Sequence, residues 1–229
     1  MMPNQQPDFA AASRLLAAGA GRLGLSLTPR VQSRFLIYCQ ELLRWNDKVN
    51  LTGLKTAEDI VVKHFLDSLA VWPWVQDLDT LADLGAGAGF PGLPLKLVLP
   101  HLQLTLVEAN GKKTAFLQYI LARLEVAGVV VRRLHLTPAE ARAWGPNFQG
   151  VISRAAWPLD RYLELALPLL LPGGRVLAMQ GPQLDEAHWQ RAAALAQEFG
   201  CGPAVQEEYQ LPDGSRRRLI IWRQELKNP

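Results

Sequence analysis

The fold of this chain is decided by residues 81–92, which read Leu-Ala-Asp-Leu-Gly-Ala-Gly-Ala-Gly-Phe-Pro-Gly. An apolar run reaches Asp83 and is followed by glycines at alternate positions. Because glycine has no Cβ, it lets the backbone turn tightly and approach a ligand closely. Such a loop, placed after a strand and before a helix, forms a nucleotide-binding crevice. Gly87, Gly89 and Gly92 also match the dinucleotide fingerprint, so the glycines alone do not identify the nucleotide.

The acid at position 83 favours S-adenosylmethionine over a dinucleotide. A pyrophosphate on the loop would be repelled by the Asp83 carboxylate. The sulfonium and ammonium groups of S-adenosylmethionine would instead be stabilised by it. The alternative interpretation is that Asp83 only caps a helix or turn. Because of the repulsion between Asp83 and a pyrophosphate, an NAD(P)-dependent enzyme is the less favoured hypothesis.

A second acid supports a nucleotide-binding fold without deciding between these cofactors. Glu108 ends an apolar strand pattern and follows Gly85 by a little over twenty positions. That is close to the roughly 20-residue spacing at which an acid meets the ribose hydroxyls. Both kinds of enzyme use such an acid, so we expect Glu108 to bind the ribose in either case.

Composition limits the class of protein. The chain has 229 residues, of which 49% are hydrophobic, and a net charge of +3. This length suits one domain of medium size, or one domain with a helical appendage. Its two cysteines, Cys39 and Cys201, form no CxxC pattern, so neither a disulfide framework nor a structural zinc site is expected. With no apolar run of roughly 18 residues, we expect a soluble, cytoplasmic protein. The small positive excess allows an anionic partner without establishing one.

Strand and helix patterns alternate over residues 76–229 and predict an α/β fold with a mostly parallel sheet. A helical apolar stripe follows Thr28-Pro29, which resembles an N-cap and first helical residue. We therefore predict a helical extension over residues 1–75, irregular over 1–10, with a helix over Ala57 to Trp74. The turn signal Pro212-Asp213-Gly214 predicts a hairpin at the C-terminal edge. The predicted strands cover residues 79–84, 102–107, 128–133, 148–153, 174–180 and 217–222.

Several motifs, taken in order, resemble one family. They are Trp45-Asn46, Asn50-Leu51-Thr52, the block Lys63-His64-Phe65-Leu66-Asp67-Ser68-Leu69, the glycine loop from Asp83 to Leu95, Lys112-Lys113 and Ser153-Arg154-Ala155. The chain resembles the small-subunit ribosomal RNA guanine-N7 methyltransferases, also called glucose-inhibited division protein B, from about residue 30 onward. The resemblance implies a Rossmann-like methyltransferase fold with an antiparallel C-terminal strand. It also implies methyl transfer from S-adenosylmethionine to N7 of a guanine in 16S ribosomal RNA.

The resemblance also assigns cofactor contacts, which fall on Gly85, Phe90, Ala139, Glu140 and Arg154. Together with the residues argued above, the predicted cofactor site consists of Asp83, Gly85, Gly87, Phe90, Glu108, Ala139, Glu140 and Arg154.

This sequence departs from the family pattern at four places. Pro138 and Gln180 stand where the family usually has a cation, and Gln149 where it has an acid. Arg217-Arg218 stands where Arg-His is usual. These changes bear on the contacts to RNA more than on the cofactor site.

Cations near the crevice are the candidates for binding RNA phosphates. They are Lys63, Lys112, Lys113, Arg154, Arg216, Arg217 and Arg218. Alternatively, Lys112 and Lys113 belong to a solvated helix start, and the arginine run protects an edge strand from aggregation. We expect 16S ribosomal RNA or the small ribosomal subunit as partner, and neither DNA nor a membrane.

The chemistry requires no general base, because N7 of guanine carries a lone pair and no proton. We therefore assign no catalytic acid or base, and no metal. His64 is expected to be structural, with Asp67 one helical turn on as its partner. Trp157, after the Ser-Arg-Ala strand, is a candidate for stacking on a base.

Two other functions remain open from the sequence. One is a small-molecule or protein methyltransferase of the same fold. The other is a non-catalytic ribosome-binding module, since fold does not fix function. The helical N-terminus and the basic tail argue against the first, and the intact glycine loop with Glu108 argues against the second.

Overall fold

A computed structural model describes residues 8–226 of the chain. Its helices are α1 (Phe9–Arg22), α2 (Pro29–Asn46), α3 (Ala57–Ile60), α4 (Asp67–Leu69), α5 (Gly92–Val98), α6 (Gly111–Arg123), α7 (Pro138–Trp144), α8 (Leu159–Ala166) and α9 (Glu186–Glu198). A π-helical segment, Val61–Leu66, joins α3 to α4. Short 3₁₀ helices cover Trp72–Trp74 and Leu167–Leu169.

Within residues 8–226, seven strands form one sheet. They are β1 (Thr80–Leu84), β2 (Gln103–Glu108), β3 (Val129–Arg133), β4 (Phe148–Arg154), β5 (Leu170–Gln180), β6 (Val205–Gln210) and β7 (Arg216–Arg223). The order is β3-β2-β1-β4-β5-β7-β6, with β1 to β5 parallel and β7 antiparallel to both of its neighbours. The strand order reverses between β1 and β4, and in open α/β sheets ligands bind at the carboxyl ends of strands at such a point.

The helices before β1 pack against the same face of the sheet as α5 and α6. Leu16 of α1, Phe35 of α2 and Phe65 share one buried apolar cluster with Phe90 and Phe116. As a result of this packing, two segments lie at the edge of the sheet where β1 and β4 end. They are the loop between α2 and α3 and the π-helical segment. The division into residues 1–75 and 76–229 stays a prediction, because the two parts share this core.

The structure confirms the predicted α/β fold. All six predicted strands are present, although β5 begins at Leu170, earlier than predicted. The C-terminal hairpin is also present. Its first strand, β6, was not predicted individually because five of its six residues are exposed and lack an apolar alternation.

The N-terminal prediction was partly wrong. Residues 1–7 lie outside the described part of the chain, but α1 begins at Phe9 inside the stretch predicted to be irregular. Asp8 caps it, because its Oδ1 accepts a hydrogen bond from the Ala11 N–H at 2.9 Å. The Thr28 cap of α2 is confirmed. Among residues 8–226, no helix is long and apolar enough to cross a membrane.

Candidate active site

The predicted cofactor residues meet at one edge of the sheet. The glycine loop follows β1, Glu108 ends β2, Ala139 lies in the segment after β3, and Arg154 ends β4. The carboxyl ends of parallel neighbours lie side by side, so these four positions surround the switch point. The structure therefore brings together residues that are far apart in the sequence.

Glu108 holds the glycine loop through backbone hydrogen bonds. Its Oε2 accepts from the Gly87 N–H at 2.9 Å, and its Oε1 accepts from the Asn110 N–H at 2.7 Å. Gly87 has φ +60°, a conformation that side chains disfavour, and within residues 8–226, its two chain neighbours aside, a Cβ there would meet only the Gly85 carbonyl oxygen, at 4.0 Å. Each carboxylate oxygen can accept a further hydrogen bond. This open loop beside an acid fits the ribose of an adenosyl cofactor.

Asp83 lies beneath the loop rather than on its surface. The side chain is fully buried, and its Oδ2 accepts from the Gly92 N–H at 2.8 Å. Burial raises the pKa of Asp83 to about 7, although the Gly92 hydrogen bond and the charge of Arg154 oppose the shift. A cap on the turn into α5, which was the less favoured interpretation, is thus the role that this geometry supports. Repulsion of a pyrophosphate by an exposed carboxylate does not follow from it.

Phe90, at the end of the loop, lies in a stack of rings. Its ring centroid is 4.3 Å from that of His64 and 5.4 Å from that of Tyr38, and the planes are nearly parallel. The Arg154 guanidinium lies 5.1 Å from the Phe90 centroid, within the range of a cation–π contact. The Tyr38 hydroxyl also donates to the carbonyl of Ala88 in the loop. The N-terminal helices therefore support the loop directly.

His64 connects Arg154 to the loop between α2 and α3. Its Nδ1 lies 3.0 Å from Arg154 Nη2, and its Nε2 lies 2.8 Å from Thr52 Oγ1. Nδ1 also lies 3.2 Å from the Lys63 carbonyl oxygen, but arginine only donates in the shorter contact, so we assign the proton to Nε2, which then donates to Thr52. Burial and the charge of Arg154 lower the pKa of His64 to about 3, which keeps the ring neutral. Asn46 fixes the same loop, since its Oδ1 accepts from the Leu51 and Thr52 amides.

Asp67 contacts Arg154, and the predicted hydrogen bond from His64 is not found among the described residues. Asp67 Oδ2 accepts from Arg154 Nη1 at 3.2 Å. Its Oδ1 accepts from the Tyr209 hydroxyl at 3.0 Å and lies 3.7 Å from Arg217 Nε. Burial raises the pKa of Asp67, and Arg154 is the main group that opposes this. Thr52 and Tyr209 were missed because nothing in their local sequence indicates that Thr52 contacts His64 or that Tyr209 contacts Asp67.

A cavity of about 410 Å³ opens beside this cluster. It lies between the loop after α2, the π-helical segment and the ends of β4, β5 and β7. Its lining includes Thr52, His64, Asp67, Arg154, Gln180 and Arg217. The volume lies in the range of small-molecule sites.

Ala139 and Glu140 lie in the first turn of α7. The Glu140 side chain accepts from both the amide and the hydroxyl of Thr137, at 2.8 Å each, which completes a capping box. Ala139 is exposed. The Glu140 side chain is therefore engaged in the helix cap, whereas the Ala139 side chain makes no contact in that cap.

Trp157 packs over the start of the glycine loop. A Cβ at Gly85, which has φ +68°, would lie 2.7 Å from the Cβ of Ala156 and 3.1 Å from two atoms of the Trp157 ring. Gly85 therefore leaves room for the segment after β4 as well as for a ligand. Trp157 lies beside the crevice, and its stacking on a base stays a prediction.

The predicted RNA-binding cations are not in one cluster. Lys112 and Lys113 begin α6, next to Glu108, and Lys112 is exposed. Lys63 pairs with Asp59 over 2.6 Å. Side chains alternate along a strand, so Arg217 lies on the face toward Asp67 while Arg216 and Arg218 point to the other face. Arg218 pairs with Glu208 over 2.6 Å.

The strand order and the loop define the class of protein. Among solved structures, the O-methyltransferase from Bacillus cereus in complex with SAH superposes with a TM-score of 0.60 at 17% identity, over 82% of this chain and 91% of that one. The fold is that of the Rossmann-like methyltransferases.

Sequence comparisons identify the family. The model for rRNA small subunit methyltransferase G, GidB, matches residues 31–201. Ribosomal RNA small subunit methyltransferase G of Myxococcus xanthus is 45% identical, over 92% of this chain and 96% of its own length. The protein of that name from Geotalea uraniireducens is 36% identical, over 92% and 95%. The chain belongs to the rRNA small subunit methyltransferase G family, and it is an S-adenosylmethionine-dependent rRNA methyltransferase.

Proposed function

We propose that the protein methylates N7 of a guanine in 16S ribosomal RNA of the small ribosomal subunit. The observation that carries this proposal is that the glycine loop, held by Glu108, lies beside the cavity lined by Arg154 at the switch point. A cofactor on the loop and a base in the cavity would meet at Arg154. We also propose a cytoplasmic location, because the substrate is ribosomal RNA.

The cofactor site that we propose differs from the sequence prediction in the role of Asp83. Glu108 binds the ribose hydroxyls, and the backbone around Gly85 and Gly87 follows the cofactor closely. Asp83 acts indirectly, by fixing the turn at Gly92. Phe90, Ala139, Glu140 and Arg154 complete the proposed site.

The bound cofactor supplies an electrophilic methyl group, and the chain supplies orientation. Alignment of bound reactants alone can contribute about 7–11 kcal/mol to catalysis. The base must leave its stack, which costs a few kcal/mol. Arg154, held by Asp67 and by His64, lies between the glycine loop and the cavity and has donors for the base or for the cofactor carboxylate. No proton has to be removed from N7.

RNA phosphates are proposed to bind Lys112 and Lys113 on the cofactor side of the crevice, and Arg217 on the cavity side. Arg154 lies between them. Lys63 is less available, because Asp59 already pairs with it. Arg216 and Arg218, on the other face of β7, are proposed to contact RNA only outside the cavity.

Mapping N7-methylguanosine tests the proposal. RNA from cells with and without this protein is compared, and purified protein is then given naked 16S RNA or small subunits. The expected result is one 16S guanine that loses N7 methylation in the deletion and regains it with purified protein. Methylation of another ribosomal RNA, or of another atom, would refute the proposal.

Single-turnover rates across pH test the acceptor atom independently. Since N7 carries no proton, we expect no rising limb from a general base with a near-neutral pKa. A tenfold rise per pH unit through neutrality, abolished by substitution of one side chain, would indicate a different acceptor.

A further inference from the structure

Tyr209 belongs to the outer hairpin of the sheet, yet its hydroxyl contacts the candidate site. It donates to Asp67 Oδ1 over 3.0 Å, across 142 positions of sequence. Asp67 is only 3% exposed, and its second oxygen accepts from Arg154. We propose that Tyr209 is a positioning residue for methyl transfer, which holds Asp67 so that Asp67 fixes the guanidinium of Arg154. The inference rests on the proposed function of Arg154 at the crevice.

The strand register explains why a residue of β6 contacts this site. Tyr209 lies directly opposite Arg217 of β7 in the antiparallel pairing. Opposite residues of an antiparallel pair point to the same face. Both side chains therefore approach the same oxygen of Asp67, where the Arg217 Nε lies 3.7 Å away. The hairpin supplies a neutral donor and a cation to one buried carboxylate.

A buried carboxylate requires this set of partners. A charge removed from water is costly unless it is paired and hydrogen-bonded. Arg154 is also held by the Lys63 carbonyl at 3.0 Å and by His64, so its position depends on groups from two directions. Asp67 provides the only ionic contact of Arg154 among residues 8–226. The orientation of Arg154 therefore depends on Asp67 staying charged and in place.

The hydroxyl of Tyr209 favours the charged form of Asp67. Burial raises the pKa of Asp67, while Arg154, the Tyr209 hydrogen bond and Arg217 oppose the shift. These are the groups that face Asp67 from β4, β6 and β7. Without the hydroxyl, Asp67 takes up a proton at higher pH and then attracts Arg154 less. As the pH is lowered, a protein without the Tyr209 hydroxyl should therefore lose methyl transfer at a higher pH than the natural protein does.

The test uses the full chain with Tyr209→Phe, which keeps the ring and removes one oxygen. Affinity for S-adenosylmethionine is measured by calorimetry, and methyl transfer to ribosomal RNA by single-turnover assays from acidic to basic pH. We expect methyl transfer near neutral pH to fall about tenfold, the size of one hydrogen bond to a charged group. The difference in methyl-transfer rate between Tyr209→Phe and the natural protein should grow as the pH falls. The acid limb of the pH–rate profile of the variant should therefore lie at higher pH.

Tyr162→Phe is the matched control. Tyr162 is more deeply buried than Tyr209, and its hydroxyl donates to the carbonyls of Val151 and Leu177, inside the core and away from Asp67. This variant should lose thermal stability and keep the pH profile of the natural protein. A shift of the same size in both variants would show that Tyr209 acts only through general stability, and would overturn the inference.

A double-mutant cycle with Arg154→Lys separates this inference from the proposed function. If Tyr209 acts through Arg154, Tyr209→Phe should cost little once Arg154 has been replaced. Additive losses would overturn the function of Tyr209 while leaving that of Arg154 intact. An Arg154→Lys variant with unchanged cofactor affinity and unchanged methyl transfer would overturn the proposed function of Arg154, and this inference with it.

Discussion

Replacing Asp83 with asparagine should make the protein more stable relative to the natural chain as the pH rises. The carboxyl group is completely buried and has one hydrogen bond, from Gly92, while its Oδ1 has no partner among the described residues. Its pKa lies near 7 in the folded protein because of this burial, and an aspartate usually has a pKa of 3.8. Asparagine keeps the acceptor for Gly92 and carries no charge.

The magnitude follows from linkage. Because the folded-state pKa of Asp83 is raised, the folded protein binds the proton more tightly than the unfolded chain. The charge of Asp83 therefore costs nothing at pH values well below its usual pKa, and costs progressively more as the pH rises to about 7. Between the usual pKa of 3.8 and the folded-state pKa of about 7, each pH unit lowers the free energy of unfolding of the natural protein by about 1.4 kcal/mol. Between about pH 5 and pH 8 the free energy of unfolding of Asp83→Asn should gain about 3 kcal/mol on that of the natural protein.

Urea unfolding of both proteins at these two pH values measures this difference. In the Asp83→Asn variant, the side-chain group at the former Oδ1 position has no hydrogen-bond partner. This cost does not depend on pH, so it cancels when the two pH values are compared. Asp185→Asn is the control, because the Asp185 pKa is lowered by the His188 amide at the cap of α9. Its pKa is shifted downward, so Asp185 is ionised in both the folded and the unfolded chain at these two pH values, and the stability difference between Asp185→Asn and the natural chain should be the same at both. An Asp83→Asn difference that is the same at both pH values would refute the burial argument.

Three further predictions concern binding. Glu108→Ala should weaken S-adenosylmethionine binding in calorimetry by roughly 1.5–3 kcal/mol, the range for hydrogen bonds to a charged group, and unchanged affinity would show that Glu108 binds no ribose. Gly85→Val should abolish cofactor binding and also displace the segment that carries Trp157, since a Cβ at Gly85 meets that ring; a fluorescence change of Trp157 with cofactor binding retained would contradict the first part. Replacing Lys112 and Lys113 with alanine should reduce the slope of log affinity for RNA against log salt by about 0.7 for each phosphate that is no longer neutralised. Cofactor affinity should stay the same, and an unchanged slope would place the RNA elsewhere.

Local patterns predicted the sheet well. The alternation of strands and helices predicts a mostly parallel sheet, and the glycine loop and Glu108 lie at the carboxyl ends of neighbouring parallel strands. Strand β6 and the start of helix α1 were harder to predict from the sequence. Strand β6 is stabilised by pairing with β7 rather than by an apolar pattern of its own. Helix α1 begins at a capping aspartate inside a polar, proline-containing stretch, and that composition is typical of irregular structure.

The contacts within the site were harder to predict than its location. Asp83 was expected to face a ligand because its charge suits a sulfonium, but the chain buries it against Gly92. Asp67 was predicted to contact His64 because the two residues are one helical turn apart. In the structure, Asp67 follows a π-helical segment and accepts a hydrogen bond from Arg154 at the end of β4. Both outcomes depend on residues that come near only after folding. Spacing along a helix or loop carries no information about them.

The hydrogen bonds of His64 bear on the chemistry of the reaction. A general base needs a nitrogen that is free to accept the proton of its substrate. His64 Nδ1 already accepts from Arg154, and its Nε2 donates to Thr52. Its low pKa, caused by burial and by Arg154, also makes it a weak base. The titratable ring beside Arg154 is thus used to hold that side chain and the loop at Thr52, which suits an acceptor atom that has no proton to give up.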